Sequence, residues 1–284
     1  MKQTLQDYYE QACEIELQAF KPGNVSVYSE GHDMTVDDFR ISLSVSSGPL
    51  CNPEYSLGEK IYFAVKETRE AVGCNTNLGI ILLCAPLIKA VENIQKGQSL
   101  RQSLKQVINT ATVADADWVF QAIMLASPGG LGDAEEGDVS EKARITLLEA
   151  MEIAQEKDRI AYQFTSIYKD IFEFTIFLYN STLAKFGNHN WAALSVYTGM
   201  LAKYPDSHIE RKYGSQYSGW VAEQMKSLHD ALSVANNPDS LVPFLHEVDK
   251  EFKSKGLNPG TTADITVATV LVVFLEQLVN RSFC

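Results

Sequence analysis

Five stretches of the chain set Gly or Pro beside Asn, Asp, Thr, Lys or Arg, the residue types that hold phosphates, sugars and divalent cations. Lys21-Pro22-Gly23-Asn24-Val25 reads as a tight turn with a lysine and exposed amides, a combination that can hold phosphate. Gly31-His32-Asp33-Met34-Thr35 places Asp33 just ahead of a helix start, where a carboxylate caps the helix, binds a metal or acts as a base. Gly73-Cys74-Asn75-Thr76-Asn77-Leu78-Gly79 leads into a very apolar helix, whose first amides lack partners and suit an anion or a sugar. In Tyr204-Pro205-Asp206-Ser207-His208-Ile209-Glu210-Arg211-Lys212 the adjacent Arg211 and Lys212 offer a planar fork and a point charge for phosphate. Asn258-Pro259-Gly260-Thr261-Thr262-Ala263-Asp264 crowds polar donors at the start of the last helix, with Asp264 one turn in.

Each stretch has an ordinary structural reading as a turn or a cap. Together they describe a site built from helix N-termini and loops that takes a polyanion and one or two divalent cations. A weaker stretch, Pro128-Gly129-Gly130-Leu131-Gly132 with Asp133 and Asp138, reads as a flap or a linker; it is no Walker loop, because no Gly-Lys-Ser/Thr follows. His-Glu-x-x-His, Gly-x-Ser-x-Gly and cysteine-rich zinc spacings are absent.

The elements that must position these loops are helices. Leu5, Tyr8, Tyr9, Ala12, Ile15 and Ala19 recur at the spacing of one buried face. Capping-box patterns at Thr35/Asp38, Ser56/Glu59 and Ser99/Gln102 open further helices, and Ser140 reads as the cap of a segment running through Ile153. Helices are also predicted over 159–180, 189–202, 215–235, 239–254 and 262–281. No alternating strand longer than four residues and no hairpin signal occurs. The expectation is an all-α chain of ten or more helices, forming a single domain over residues 1–284.

Composition bounds the function. The 284 residues carry 24 Lys and Arg against 36 Asp and Glu, a net charge of −12, which argues against a general nucleic-acid binder. The longest uninterrupted apolar stretches, Ile80–Ile88 and Val267–Leu275, fall short of the ~20 residues of a membrane span and read as buried helices. Five cysteines without a C-x-x-C pair, and no leader-like segment, suggest a reduced, cytoplasmic protein; Cys13 and Cys84 read as small core residues. Trp191 and Trp220 read as core, with a subunit contact of a homo-oligomer as the alternative.

The stretches, in this order, resemble the triphosphoribosyl-dephospho-CoA synthase family. The matching residues are Ala12-Cys13-x-x-Glu16, Lys21-Pro22-Gly23-Asn24-Val25, His32-Asp33-Met34, Asn75-Thr76-Asn77-Leu78-Gly79, Pro205-Asp206-Ser207, Arg211-Lys212 and Asn258 to Asp264. The resemblance implies an all-α enzyme that joins C1 of the ATP ribose to the 2′-hydroxyl of dephospho-CoA, releases adenine and keeps the triphosphate. The product is the precursor of the prosthetic group of citrate- or malonate-lyase-type acyl carrier proteins. Typical members carry Asn-Thr-His-Lys/Arg-Gly where this chain has Asn75-Thr76-Asn77-Leu78-Gly79. The Pro-Asp-Ser-x-Ile-x-Arg-Lys segment is similar to a branch found in organisms that use tetrahydromethanopterin, which makes a pterin-cofactor precursor the alternative acceptor.

On that resemblance, roles follow by chemistry. Lys21, Arg211, Lys212 and the amides around Gly23, Gly79 and Gly260 contact phosphate. Asn24, Asn75, Thr76, Asn77, Asn258 and Thr261 orient the ribose and its phosphates. Glu16, Asp33 and Asp264 supply the ligands of Mg²⁺. Asp33 or Asp206 is the base that activates the acceptor hydroxyl, and carboxylates including Asp264 stabilise the developing oxocarbenium charge. Two rival readings use the same loops. One is a hydrolase similar to the magnesium-dependent ADP-ribosylglycohydrolases; the other is a nucleotide-binding module without catalysis.

Overall fold

Helical periodicity carries through to the structure. A computed structural model describes residues 1–29, 34–126, 139 and 141–283. Asp33, the Pro128–Gly132 stretch with Asp133 and Asp138, and Ser140 lie outside the described residues. The helices are α1 (Lys2–Gln18), α2 (Val36–Leu50), α3 (Leu57–Val72), α4 (Leu78–Asn93), α5 (Leu100–Thr110), α6 (Val113–Ala126) and α7 (Leu147–Ala154). They continue as α8 (Arg159–Thr165), α9 (Ile176–Phe186), α10 (His189–Lys203), α11 (Ser207–Tyr213), α12 (Ser218–Val234), α13 (Val242–Ser254) and α14 (Gly260–Phe283). Among the described residues there is no β-strand, and Ser26 and Ser29 form an isolated bridge, so the class is all-α.

The chain packs as two compact units. One comprises residues 1–11, 37–169 and 271–284, and the other residues 12–36 and 170–270. In the first unit, α3 packs against α6 and α4, and α4 against α5. The capping boxes expected at Ser56/Glu59 and Ser99/Gln102 are both formed. Lys60 is fully buried; its Nζ donates to the carbonyls of Leu50 and Asn52 at the end of α2 and to Glu92 Oε1 at 2.8 Å, so its charge and its donors are all met. Gly58 lets α3 approach α6 closely, since a Cβ there would lie 2.5 Å from the Asp115 carbonyl oxygen.

Asp115 ties those two helices at their starts. Its Oδ1 accepts the Gly58 N–H of α3 at 2.8 Å, and its Oδ2 accepts the N–H and hydroxyl of Thr112 at the start of α6. Helix N-termini leave N–H groups without intrahelical partners, and one carboxylate here serves two of them.

Two expectations need correction. The segment expected to run from Ser140 is only Leu147–Ala154, capped by Thr146. The predicted helix 159–180 is interrupted: α8 ends at Thr165, Ile167 and Tyr168 adopt φ of 53° and 54°, and a π-turn at Ile171–Thr175 precedes α9. Neither Gly nor Pro marks the break. It is held by tertiary bonds instead, from the buried Tyr168 hydroxyl to the Leu83 carbonyl at 2.9 Å and from Arg101 Nε to the Ile167 carbonyl at 3.1 Å.

In the second unit the core gathers Phe20, Tyr197, Leu201, Ile209, Met225, Leu228, Val248 and Phe252. Trp191 and Trp220 pack against it, as the core reading expects. Cys13 and Cys84 are buried thiols. α14 holds 22 residues, Gly260–Arg281, of membrane-span length; an 18-residue stretch of them has a mean hydropathy of 1.7, and 78% of that stretch is buried inside the protein, as in a core helix. It is longer than the apolar run suggested, because Thr and Ala residues extend it.

Asp115 gives a pH test. Burial pushes its carboxyl up, but the bonds from Gly58 and Thr112 outweigh burial and hold it below the usual value. A carboxyl depressed in the folded state stabilises above its unfolded pKa of about 3.9, and the contribution is lost as pH falls through the lower folded value. We therefore expect Asp115→Asn to destabilise the fold by about 0.5–2 kcal/mol near neutral pH, the worth of a helix cap. Urea unfolding of both proteins should show the gap closing below about pH 4; a gap independent of pH would refute the assignment.

Candidate functional site

In the second unit, three segments distant in sequence are joined by side chains. Lys21 to Asn24 form a turn closed by the Asn24 N–H to the Lys21 carbonyl at 3.1 Å. Pro22 occupies its second position and Gly23, with φ of 83°, its third, the arrangement of a type II turn. The Tyr197 hydroxyl of α10 donates to the Pro22 carbonyl at 2.8 Å, and Asp249 Oδ1 of α13 accepts the Gly23 N–H at 2.8 Å. The turn is thereby fixed so that Asn24 Nδ2 donates to Asn258 Oδ1 at 2.8 Å. Two of the expected motifs, Lys-Pro-Gly-Asn and Asn-Pro-Gly-Thr, thus meet directly.

Lys21 has its partners within the protein. It is fully buried, 2.8 Å from Glu16 Oε1 and 2.7 Å from the Val25 carbonyl. Burial raises the Glu16 carboxyl and lowers the Lys21 ammonium, and each partner opposes the shift of the other. Lys21, expected on phosphate, and Glu16, expected on Mg²⁺, therefore hold each other and close the loop. The Gly23 amide is likewise taken by Asp249. The turn braces Asn24 against Asn258.

Asp206 also has a different place from the expected base. It caps α11, its Oδ1 accepting the N–H groups of His208 and Ile209 at 2.9 and 3.1 Å. Its Oδ2 accepts the N–H and the hydroxyl of Thr262 in the first turn of α14, both at 2.8 Å. A carboxylate has about four lone-pair sites, and all four are filled here at 3% exposure. Burial pushes this carboxyl above its usual range, and the donors from Thr262, Ile209 and His208 pull the other way.

Around this frame stand the other expected residues. Asn258, Gly260 and Asp264 are half-buried at the start of α14, and Thr261 and Thr262 are buried. The His208 ring lies over Gly260, 3.4 Å from where a Cβ would stand. Arg211 and Lys212 are exposed in the last turn of α11, with the Lys212 ammonium 5.1 Å from the Tyr213 ring centre. The participants that sequence reasoning missed are Tyr197, Asp249, Ser29 and Lys253. Ser29 Oγ donates to Asp249 Oδ2 at 2.7 Å, and Lys253 Nζ stands 3.2 Å from the same oxygen. No sequence signal links them, since 220 residues separate Ser29 from Asp249.

In the first unit, the Asn75–Gly79 stretch opens α4. Asn75 Oδ1 accepts the Leu78 N–H at 3.1 Å. Asn77 is buried and its Nδ2 donates to Thr68 Oγ1 and Ser46 Oγ at 3.2 and 3.4 Å, while Thr76 Oγ1 donates to Ser42 Oγ at 2.6 Å. Ser46 in turn bonds the Tyr9 hydroxyl at 2.9 Å. Asn77 and Thr76, expected on the substrate, hold a buried hydroxyl network.

Among the described residues no three His, Cys, Asp or Glu side chains converge on a point that could hold a metal ion. Of the carboxylates expected to bind Mg²⁺, Glu16 is paired with Lys21, and Asp264 is half-buried. Glu16 and Asp264 do not by themselves form a Mg²⁺ site.

The family model described as CitG, ATP:dephospho-CoA triphosphoribosyl transferase, matches residues 2–283. A crystal structure from Archaeoglobus fulgidus, provisionally assigned as a triphosphoribosyl-dephospho-CoA synthase, shares the fold with a TM-score of 0.63 at 23% identity. The alignment covers 83% of this chain and 97% of that one. No curated protein sequence matches the chain significantly. Fold and family together define an all-α transferase enzyme. The chain belongs to the ATP:dephospho-CoA triphosphoribosyl transferase family.

The two readings of Asp206 separate by experiment. Asp206→Asn would turn an N–H donor towards Thr262, leaving buried donors unpaired at about 1–3 kcal/mol. We expect Tm to fall by several degrees while the folded fraction keeps its turnover within about tenfold. A loss of 10²–10⁴ in kcat at unchanged Tm, the signature of a missing general base, would restore the catalytic role.

Proposed function

We propose that this transferase moves the triphosphoribosyl group of ATP to the 2′-hydroxyl of dephospho-CoA. The acceptor oxygen bonds to ribose C1 as the bond from C1 to adenine N9 breaks. The hydroxyl proton passes to a carboxylate, adenine leaves with the bonding pair and takes up a proton, and the triphosphate stays on the ribose. The observation that carries this reading is the bond between Asn24 and Asn258, which sets two polar loops beside the first turn of α14. Asn24 and Asn258 orient the ribose, and Gly260 keeps the entrance to α14 open for it. Asp264 stabilises positive charge developing at C1. Arg211 and Lys212 reach the triphosphate, which brings its own Mg²⁺. With Asp206 occupied, Asp33 is the base. The pterin-cofactor precursor stays as the second acceptor, because Asn77 and Leu78 leave this loop without the basic pair of typical members. A cytoplasmic location suits these substrates.

The test is adenine release from ATP with Mg²⁺, with and without dephospho-CoA, followed by mass spectrometry of the products. We expect adenine only with the acceptor, and an adduct carrying the triphosphoribosyl group. Adenine without an adduct means hydrolysis, and adenine released only with a pterin precursor means the second acceptor. Asp33→Asn and Asp264→Asn should each lower release by 10²-fold or more at unchanged Tm; turnover within a few-fold of wild type would refute those roles.

A further inference from the structure

We propose that Asp249 is a positioning residue of the transfer reaction, holding the Lys21–Asn24 turn so that Asn24 meets Asn258. The proposal rests on the reading of these two asparagines as ribose contacts. Asp249 is itself 5% exposed, so it acts through the loop rather than on substrate.

The attachment has two parts on one face of α13. Asp249 and Phe252 are three residues apart, hence neighbours on the helix surface. Asp249 Oδ1 takes the Gly23 N–H at 2.8 Å. Phe252 lies against the same glycine so closely that a Cβ there would be 2.6 Å from its Cδ1. Apolar contact alone would let the turn slide; the carboxylate fixes the direction of the Gly23 amide plane and, through the turn, the Asn24 side chain.

The other oxygen holds the far arm of the loop. Asp249 Oδ2 accepts from Ser29 Oγ at 2.7 Å, six residues beyond Gly23. Lys253, one helical turn on, stands 3.2 Å from that oxygen and also bonds Ser29. It balances the carboxylate charge that burial would otherwise penalise. One side chain thus clamps both ends of the segment 23–29, while Lys21 and Glu16 fix only its beginning.

Two variants grade the effect. Asp249→Asn keeps an oxygen for the Gly23 N–H but sets an amide against Ser29 and Lys253; Asp249→Ala removes both anchors. Amide hydrogen exchange of residues 23–29 should quicken by about tenfold or more in the alanine variant, with asparagine between, as local opening becomes easier. Adenine release should fall in the same order, kcat by about tenfold or more with the KM for ATP within about threefold, because misplacement affects the reacting geometry more than binding. Val248→Ala, a core truncation next in the chain, controls for stability: brought to an equal loss of Tm, its folded fraction should keep kcat. Unchanged exchange at 23–29, or equal kcat losses in the Val248 and Asp249 variants at matched Tm, would overturn the proposal. A wild-type protein that releases no adenine would instead overturn the reading of the reaction, and the exchange measurement would still decide whether Asp249 holds the turn.

Discussion

The constraint on which this structure depends is the supply of acceptors for helix starts. Each helix begins with N–H groups that have no partner inside the helix, and a buried start without an acceptor is costly. In each unit one aspartate answers for two starts. Asp115 joins α3 to α6, and Asp206 joins α11 to α14. The geometry is reciprocal: the donors make burial of the carboxylate tolerable, and the carboxylate orients the two helices. Direction comes with the bond, since an N–H must point at an oxygen, and apolar packing alone supplies no such constraint.

The loops that look most chemical in the sequence obey the same constraint. Lys21, the Gly23 amide and Asp206 are the polar groups a reader would place on a substrate, yet each is bound within the protein. A phosphate cradle needs N–H groups without internal partners. A turn whose amides already serve Asp249 and the Lys21 carbonyl instead sets the position of its neighbour, Asn24. The residues of such a motif therefore divide into a frame and a working surface, and the frame is the larger part.

Legibility in the sequence followed the range of the interaction. The capping boxes at Ser56/Glu59 and Ser99/Gln102, and the turn at Pro22-Gly23, are written within four residues, and they formed as expected. The break at Ile167-Tyr168 was hidden because a β-branched and an aromatic residue occupy a backbone region usually left to glycine, held there by Arg101 and the Leu83 carbonyl. Asp249 and Tyr197 were hidden for the same reason: their partners, Gly23 and Pro22, lie 226 and 175 residues away. In the candidate site, motif order placed the right segments together in the case of Asn24 and Asn258. It could not say which side chain of a motif faces outward, because that is decided by partners elsewhere in the chain.

Charge poses the remaining physical question for a protein of net charge −12 whose family is described by transfer from ATP. The answer is range. At physiological salt the Debye length is about 8 Å, so the distant excess of carboxylates is largely screened while a cation in contact is not. Several buried carboxylates of the second unit are also met within the protein: Glu16 by Lys21, Asp249 by Lys253, and Asp206 by the donors wrapped around it. Arg211 and Lys212 sit in the last turn of α11, where the helix dipole favours positive charge. These bonds quiet the negative charge of the buried carboxylates, so the net charge of the chain does not by itself set the local field at a polar loop.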